Sequence, residues 1–216
     1  MRKRRTERIG RGAPKKLPKV RFTLFCEGRK TEPQYFRTLR SRDNGYLIQY
    51  GDKGRVPITL AEKAVRFIKS KGSTREKGGP RNSFEERDQV WVVFDRDEHE
   101  RFDEAVSMCE TNGIGVARSN PCFEVWLILH AVDYDRQDDR HRVKDEFDRL
   151  ASRHGLQLAG SAPFEKLMAA IEDAEERAEK LNRRRKEEGK PYGRPSTTVG
   201  ELTRAIRKAS NRESGA

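Results

Sequence analysis

The sequence predicts an α/β protein in which helices flank a mostly parallel sheet, followed by a helical C-terminal part. Three observations lead to this fold class. Short apolar runs rich in β-branched and aromatic residues alternate with helical patterns from residue 20 to about residue 130. The run Gln89 to Phe94 is apolar on both faces, as buried parallel strands usually are. Beyond residue 135 the pattern is helical, and such alternation is typical of a parallel sheet with right-handed crossovers.

The predicted strands and helices alternate regularly between residues 20 and 117. Thr31 offers an N-cap and Pro33 suits a first helical turn, while Asn44-Gly45 and Gly113 are typical stop signals. In chain order the sequence predicts a strand over residues 20–26, a helix from 31 to about 42, a strand over 46–50, a helix over 57–71, a strand over 89–94, a helix over 100–111 and a strand over 114–117.

Residues 135–210 are predicted to be mainly helical. A helix over residues 121–130 comes before them, with Asn120 as its N-cap, because Asn before Pro is a common helix start. Residues 72–88 contain Gly, Ser and charged residues without periodicity, and we interpret them as a mobile loop. The later helices are predicted at roughly 139–153, 162–187 and 197–209, the last of them capped by the hydroxyl run Ser196-Thr197-Thr198.

Positive charge is concentrated at the N-terminus. The 216 residues include 47 Lys and Arg against 35 Asp and Glu, a formal net charge of +12. Ten of those cations lie within residues 1–21 beside one acid, Glu7, so we expect residues 1–19 to form a flexible basic arm before one folded domain, 20–210. The arm is either a solubility tail or, as we favour, a segment that contacts nucleic-acid phosphates through cations such as Arg4, Arg5, Lys15 and Lys16.

Several classes of protein are excluded by composition. The longest apolar run, Val125 to Leu129, has five residues, whereas a membrane helix needs about 20. No apolar stretch of a signal peptide follows the basic N-terminus, so we expect a cytoplasmic protein with no membrane association. Three cysteines without a CxxC pair, and four histidines without ligand spacing, argue against structural zinc and a disulfide framework.

Two predicted strands end at acidic residues. Glu27 follows the first strand, and Asp95 and Asp97 follow the third at positions i and i+2. Ligands of open α/β sheets bind beyond the carboxyl ends of the strands, where three converging carboxylates would repel one another unless a divalent cation neutralised them. Oxygen ligands suit Mg²⁺ or Mn²⁺. An ordinary surface loop is the alternative for each acid, but their joint placement favours a metal site.

Further charged residues are candidates for the same edge. Glu124 lies in an apolar helix and needs a partner, either a metal or a basic residue in a structural ion pair. Lys30 is a candidate to meet the scissile phosphate and stabilise transition-state charge. Glu32 suits the dipole of a first helical turn, and His99 is not expected to shuttle protons. Phosphate contacts are also predicted for three arginines: Arg29, Arg96 and Arg118.

Three stretches together resemble the RloB-like family. They are FTLFCEGRKTEPQYF at 22–36, VWVVFDRDEH at 90–99 and SNPCFEVWLILH at 119–130. The family's fold looks like a Toprim domain, which carries a Glu after its first strand and a DxD after a later one. The resemblance implies that Glu27, Asp95 and Asp97 are Mg²⁺ ligands. It also implies a bacterial antiphage component of the abortive-infection kind, encoded beside an ATPase partner.

The leading hypothesis is therefore a Toprim-type, metal-dependent nuclease acting on RNA or DNA. The alternative is a non-catalytic nucleic-acid-binding adaptor subunit of an ATPase complex, which has no need to gather three acids. A haloacid-dehalogenase-like phosphatase also carries DxD after a strand, but it would not need Glu27, and His99 stands where it usually has a small β-branched residue. No P-loop is present, so nucleotide hydrolysis is expected of the partner. The number of subunits, a homo-oligomer included, and the number of metals are left open.

Overall fold

The computed structural model describes residues 20–39, 46–51, 56–76, 88–96, 99–153 and 164–211. The predictions for the arm over 1–19 and for Asp97 lie outside these residues, as does most of the predicted loop over 72–88. Residues 72–76 of that loop are described, and they continue a helix instead.

The described residues form one sheet of five strands in the order β2-β1-β3-β4-β5. Strands β1 to β4 are parallel to their neighbours, and β5 pairs antiparallel with β4. This arrangement confirms the predicted α/β fold with a mostly parallel sheet. The strands are β1 (Val20–Cys26), β2 (Tyr46–Tyr50), β3 (Gln89–Asp95), β4 (Gly115–Asn120) and β5 (Ser196–Thr197).

Helices cover both faces of the sheet and make up most of the C-terminal part, as predicted. A short 3₁₀ segment, Glu165–Ala170, precedes α6. The helices are α1 (Thr31–Thr38), α2 (Pro57–Glu76), α3 (Phe102–Thr111), α4 (Glu124–Leu129), α5 (Arg140–Arg153), α6 (Ile171–Glu187) and α7 (Val199–Asn211).

Two hydrophobic cores lie on opposite faces of the sheet because successive strand side chains point to opposite sides. On one face Phe25, Val92 and Phe94 pack with α2 and α3. On the other face Leu24 and Val93 pack with α1 and with the helices from α4 onward. The sheet is therefore a middle layer, and the carboxyl ends of its parallel strands meet at one edge.

Two predicted helix N-caps are wrong, although α1 begins at residue 31 as predicted. Asn120 does not cap a helix over 121–130, because it is the last residue of β4, paired with Ser196, and α4 begins only at Glu124. Thr31 is the first residue of α1, and Lys30 takes the N-cap position without a side-chain cap bond. Strand β5 was missed: part of the hydroxyl run predicted to cap α7 joins the sheet instead.

Candidate carboxylate centre

Glu27 and Asp95 lie side by side at the carboxyl edge of the sheet. The backbone N–H of Glu27 donates to Val93 O at 2.9 Å, so the residue continues the ladder between β1 and β3. Its carboxylate Oε2 accepts a hydrogen bond from the backbone N–H of Asp95 at 3.2 Å. Two strands that are distant in sequence therefore bring the two predicted acids together.

Glu32 joins these two acids from the first turn of α1. Its Oε1 accepts a hydrogen bond from the backbone N–H of Gly28 at 3.2 Å, and its side chain is only 6% exposed. Any Cβ at position 28 would overlap this carboxylate, so the close approach requires a glycine. Burial raises the pKa of Glu32, and the charges of Glu124 and Glu27 raise it further.

Asp95 is as deeply buried as Glu32. Burial raises its pKa well above the usual range, and the nearby carboxylates of Glu32, Glu27 and Glu124 act in the same direction. Glu124, half-buried at the start of α4, forms no ion pair with any residue that the structure describes. The basic partner that a purely structural role would give Glu124 is not among them. We call Glu27, Glu32, Asp95 and Glu124 the carboxylate cluster.

The chain from residue 22 to residue 206 matches the family model described as RloB-like protein. The chain belongs to the RloB-like protein family. No curated protein matches it. In this RloB-like protein the carboxylate cluster lies inside the matched region. A separate finding is that none of the helices in the described residues has the length and apolar character to cross a membrane.

One arginine and one histidine contact the carboxylate cluster. The Arg140 guanidinium at the start of α5 lies 3.2 Å from Asp95 Oδ2, and it lowers the pKa of that carboxyl against the larger effect of burial. His99 Nε2 lies 3.7 Å from Glu27 Oε1. Sequence reasoning missed Arg140, which is 45 positions from Asp95 with no local motif, and it discounted His99.

The carboxylate oxygens of this cluster are of the ligand type that a hard divalent cation prefers. Four carboxylates with one arginine and one histidine leave an excess of negative charge, and oxygen ligands suit Mg²⁺ or Mn²⁺. Within the described segments no three His, Cys, Asp or Glu residues stand in a metal-holding arrangement, and Asp97 lies outside those segments. A metal at this edge would be held by Glu27 and Asp95, with Asp97 as the third predicted ligand.

The predicted phosphate-contacting residues fall into two groups. Arg29 and Lys30 are exposed on the turn between β1 and α1, next to the carboxylate cluster. Arg96 and Arg118 instead meet Tyr192: the Arg96 guanidinium donates to its carbonyl oxygen at 3.4 Å, and the Arg118 guanidinium lies 3.3 Å from its ring centroid. Both of these arginines are half-buried, so they brace the C-terminal segment against the sheet edge.

Tyr192 is held in an unusual backbone conformation. Its φ of 62° falls in the left-handed region that non-glycine residues rarely adopt. The Asn120 side-chain amide donates to its carbonyl oxygen at 2.9 Å, so the end of β4 supports this conformation. The function of Asn120 is therefore to anchor the segment over the sheet edge instead of starting a helix.

Proposed function

We propose that this RloB-like protein is a metal-dependent nuclease of the Toprim type that acts on RNA or DNA. One observation carries the proposal: Glu27, Glu32, Asp95 and Glu124 gather at the carboxyl edge of the sheet, with Arg140 beside Asp95, in a protein whose net charge is +12. Buried like charges are costly, so such a cluster is maintained when a cation compensates it.

The chemistry follows from a divalent cation held by these acids. Bound Mg²⁺ or Mn²⁺ would supply an activated water and stabilise the leaving oxygen of a phosphodiester. Glu27 and Asp95, with Asp97, would hold it. Glu124, at the start of α4, would orient water or metal, and Lys30 would neutralise charge on the phosphate.

Family membership supports a wider biological proposal. RloB-like proteins resemble antiphage components encoded beside an ATPase, and we extend that role to this chain as an effector in phage defence. The sequence contains no P-loop, which agrees with ATP hydrolysis by a separate partner.

The direct experiment is a cleavage assay on tRNA, single-stranded DNA and duplex DNA with Mg²⁺, Mn²⁺ or chelator. We expect divalent-dependent cleavage by the wild type, and its loss in Asp95→Asn by at least about a hundredfold, since the substitution removes an anionic metal ligand. Asp103→Asn is the matched control, because Asp103 is exposed on α3 and the charge change is the same. If no substrate is cleaved, even with the ATPase present, the adaptor function takes the place of the nuclease.

A further inference from the structure

A cavity of about 270 Å³ opens at the carboxyl ends of β1 and β2. Cys26, the last residue of β1, lines it, and so does Tyr50, the last residue of β2. Gln34 and Arg37 of α1 form another part of its wall. Glu27 of the carboxylate cluster directly follows Cys26, so the cavity and the cluster are separated only by the turn that leaves β1.

The cavity is lined by positive charge, whereas the neighbouring carboxylate cluster is negative. Arg29, Lys30 and Arg37 line it, and no described lining residue is acidic. None of these three cations forms an ion pair within the described residues, whereas arginines of the C-terminal helices are paired, such as Arg204 with Glu179 and Arg207 with Glu175. Cations left uncompensated around a concave surface attract phosphate, and a guanidinium binds it through two parallel hydrogen bonds.

Helix α1 supports both sites at once. Glu32 lies on the buried face of the helix, and its carboxylate points into the cluster. Gln34 and Arg37, three positions apart and therefore neighbours on the helix surface, lie on the face that lines the cavity. One rigid element thus fixes the spacing between the acidic cluster and the basic cavity.

We infer that this cavity binds the phosphate and sugar of one nucleotide beside the phosphodiester bond to be cleaved. The inference rests on the proposed nuclease function and narrows its substrate. The cations hold the phosphate, the Gln34 amide offers hydrogen bonds to the sugar or base, and the Tyr50 ring offers an apolar wall. At about 270 Å³ the cavity is near the lower limit of roughly 300 Å³ for small-molecule sites. It therefore accepts one nucleotide of a single strand or an unpaired end, and no base-paired duplex.

The test measures binding without cleavage. Affinities of a labelled single-stranded oligonucleotide and of the matching duplex are measured in chelator at several salt concentrations, for wild type, Arg37→Gln and Arg66→Gln. Arg66 is exposed on α2, across the sheet from the cavity, and provides the same charge change. For the single strand we expect Arg37→Gln to weaken binding three- to tenfold and to reduce the slope of log affinity against log salt by about 0.7. Arg66→Gln should leave that slope unchanged, and the duplex should be insensitive to both substitutions.

Three outcomes overturn the inference. Equal effects of Arg37→Gln and Arg66→Gln on the single strand would mean that the cavity makes no phosphate contact. An equal loss of affinity for the duplex would contradict a site for one unpaired nucleotide. Failure of the wild type to bind the single strand at low salt would contradict it too. Unfolding curves check that Arg37→Gln is folded. Arg37→Lys keeps the charge but lacks the planar guanidinium, so it should retain part of the binding. Cleavage assays test the nuclease function separately. If the wild type cleaves no substrate but Arg37→Gln still weakens single-strand binding specifically, the nuclease proposal is wrong and the cavity remains a binding site.

Discussion

Two carboxylates of the cluster, Glu32 and Asp95, carry a free-energy cost of burial that neighbouring carboxylates increase, because both effects raise their pKa values. Glu32 illustrates this most clearly, since its side chain is buried and its hydrogen bond comes from an uncharged backbone N–H. At neutral pH a buried carboxylate whose pKa is raised destabilises the folded state relative to the unfolded one. A bound divalent cation would reverse the sign of that contribution.

Glu32→Gln tests this reversal. The amide oxygen can still accept the hydrogen bond from Gly28, but the charge is removed, so we expect the metal-free protein to melt about 2–4 °C higher, equivalent to about 1 kcal/mol. Added Mg²⁺ should stabilise the variant less than the wild type. Glu62→Gln, at an exposed position of α2, is the control and should change neither value. A lower melting temperature for metal-free Glu32→Gln would contradict the proposed repulsion.

His130, at the C-terminal end of α4, is another buried titratable residue. Its Nδ1 lies 3.0 Å from the carbonyl oxygen of Trp126, which can only accept, so Nδ1 carries the proton. Its Nε2 then accepts a hydrogen bond from the Tyr35 hydroxyl at 3.1 Å. Burial, the largest cause, lowers the pKa of His130 to about 4.

This lowered pKa predicts a loss of stability in acid. The folded pKa lies below the unfolded value of about 6.5, so the neutral His130 ring contributes fully to the free energy of unfolding above pH 6.5. That free energy falls by up to about 3 kcal/mol as the pH falls towards 4, because the unfolded state binds the proton more readily. Urea unfolding between pH 4 and pH 7.5 should show that His130→Gln has a flatter stability profile than the wild type. His141→Gln, at an exposed site on α5, should keep the wild-type profile. Identical profiles for all three proteins would show that His130 protonates equally in both states.

At the scale of elements, the edge strand β5 depends on a side chain from α6. Asn182 donates from Nδ2 to Thr197 O at 2.8 Å and accepts at Oδ1 from Thr197 N at 3.2 Å. These bonds satisfy both backbone groups of Thr197 on the side away from β4. An otherwise open sheet edge is thereby closed.

Asn182→Ala should therefore destabilise the sheet edge. Two backbone groups of Thr197, which is 1% exposed, would lose their partners, and we expect a loss of about 2–4 kcal/mol in the free energy of unfolding. Hydrogen exchange of the Thr197 amide should accelerate at the same time. Asn112→Ala, which removes a partly exposed bond to Met108 O, should cost no more than about 1 kcal/mol. Unchanged exchange at Thr197 would mean that β4 alone holds the strand.

Local sequence patterns predicted the strands and helices whose apolar runs and stop residues lie within or beside the element itself. The apolar runs of β1 and β3 and the acids that follow them indicated both the parallel sheet and the meeting of Glu27 with Asp95. Asn120 was misread because the same Asn-Pro pair suits a helix cap, and only the distant Ser196 decides that it ends a strand. Arg140 was missed for a similar reason, since its contact with Asp95 is tertiary.

For the whole molecule, positive charge is concentrated in the N-terminal residues that we expect to form an arm. Residues 1–19 contain nine cations and one acid, a net +8, which leaves +4 for the remainder of the +12. Among the described residues Val20 begins β1, and the Arg21 backbone N–H donates to Asp88 at 3.2 Å. A truncation that preserves the sheet must therefore stop at residue 19.

Deletion of residues 1–19 should weaken binding to nucleic acids of every sequence. Each lost phosphate contact lowers the salt slope by about 0.9 on duplex DNA or about 0.7 on single strands, because fewer counterions are released. An arm of equal length made of Gly and Ser separates the effect of charge from that of length. Unchanged affinity and slope after deletion would identify the arm as a solubility tail.

The central claim, that the carboxylate cluster is a metal centre, is tested most directly by Mn²⁺ binding in the absence of nucleic acid. We would titrate Mn²⁺ at pH 7.5 into wild type, Glu27→Gln, Asp95→Asn and the control Asp103→Asn, and follow free Mn²⁺ by electron paramagnetic resonance. The account predicts saturable binding by the wild type and by Asp103→Asn, and binding at least about tenfold weaker in the other two, since each loses an anionic ligand. Absence of saturable binding by the wild type, or equal binding by all four proteins, would contradict it.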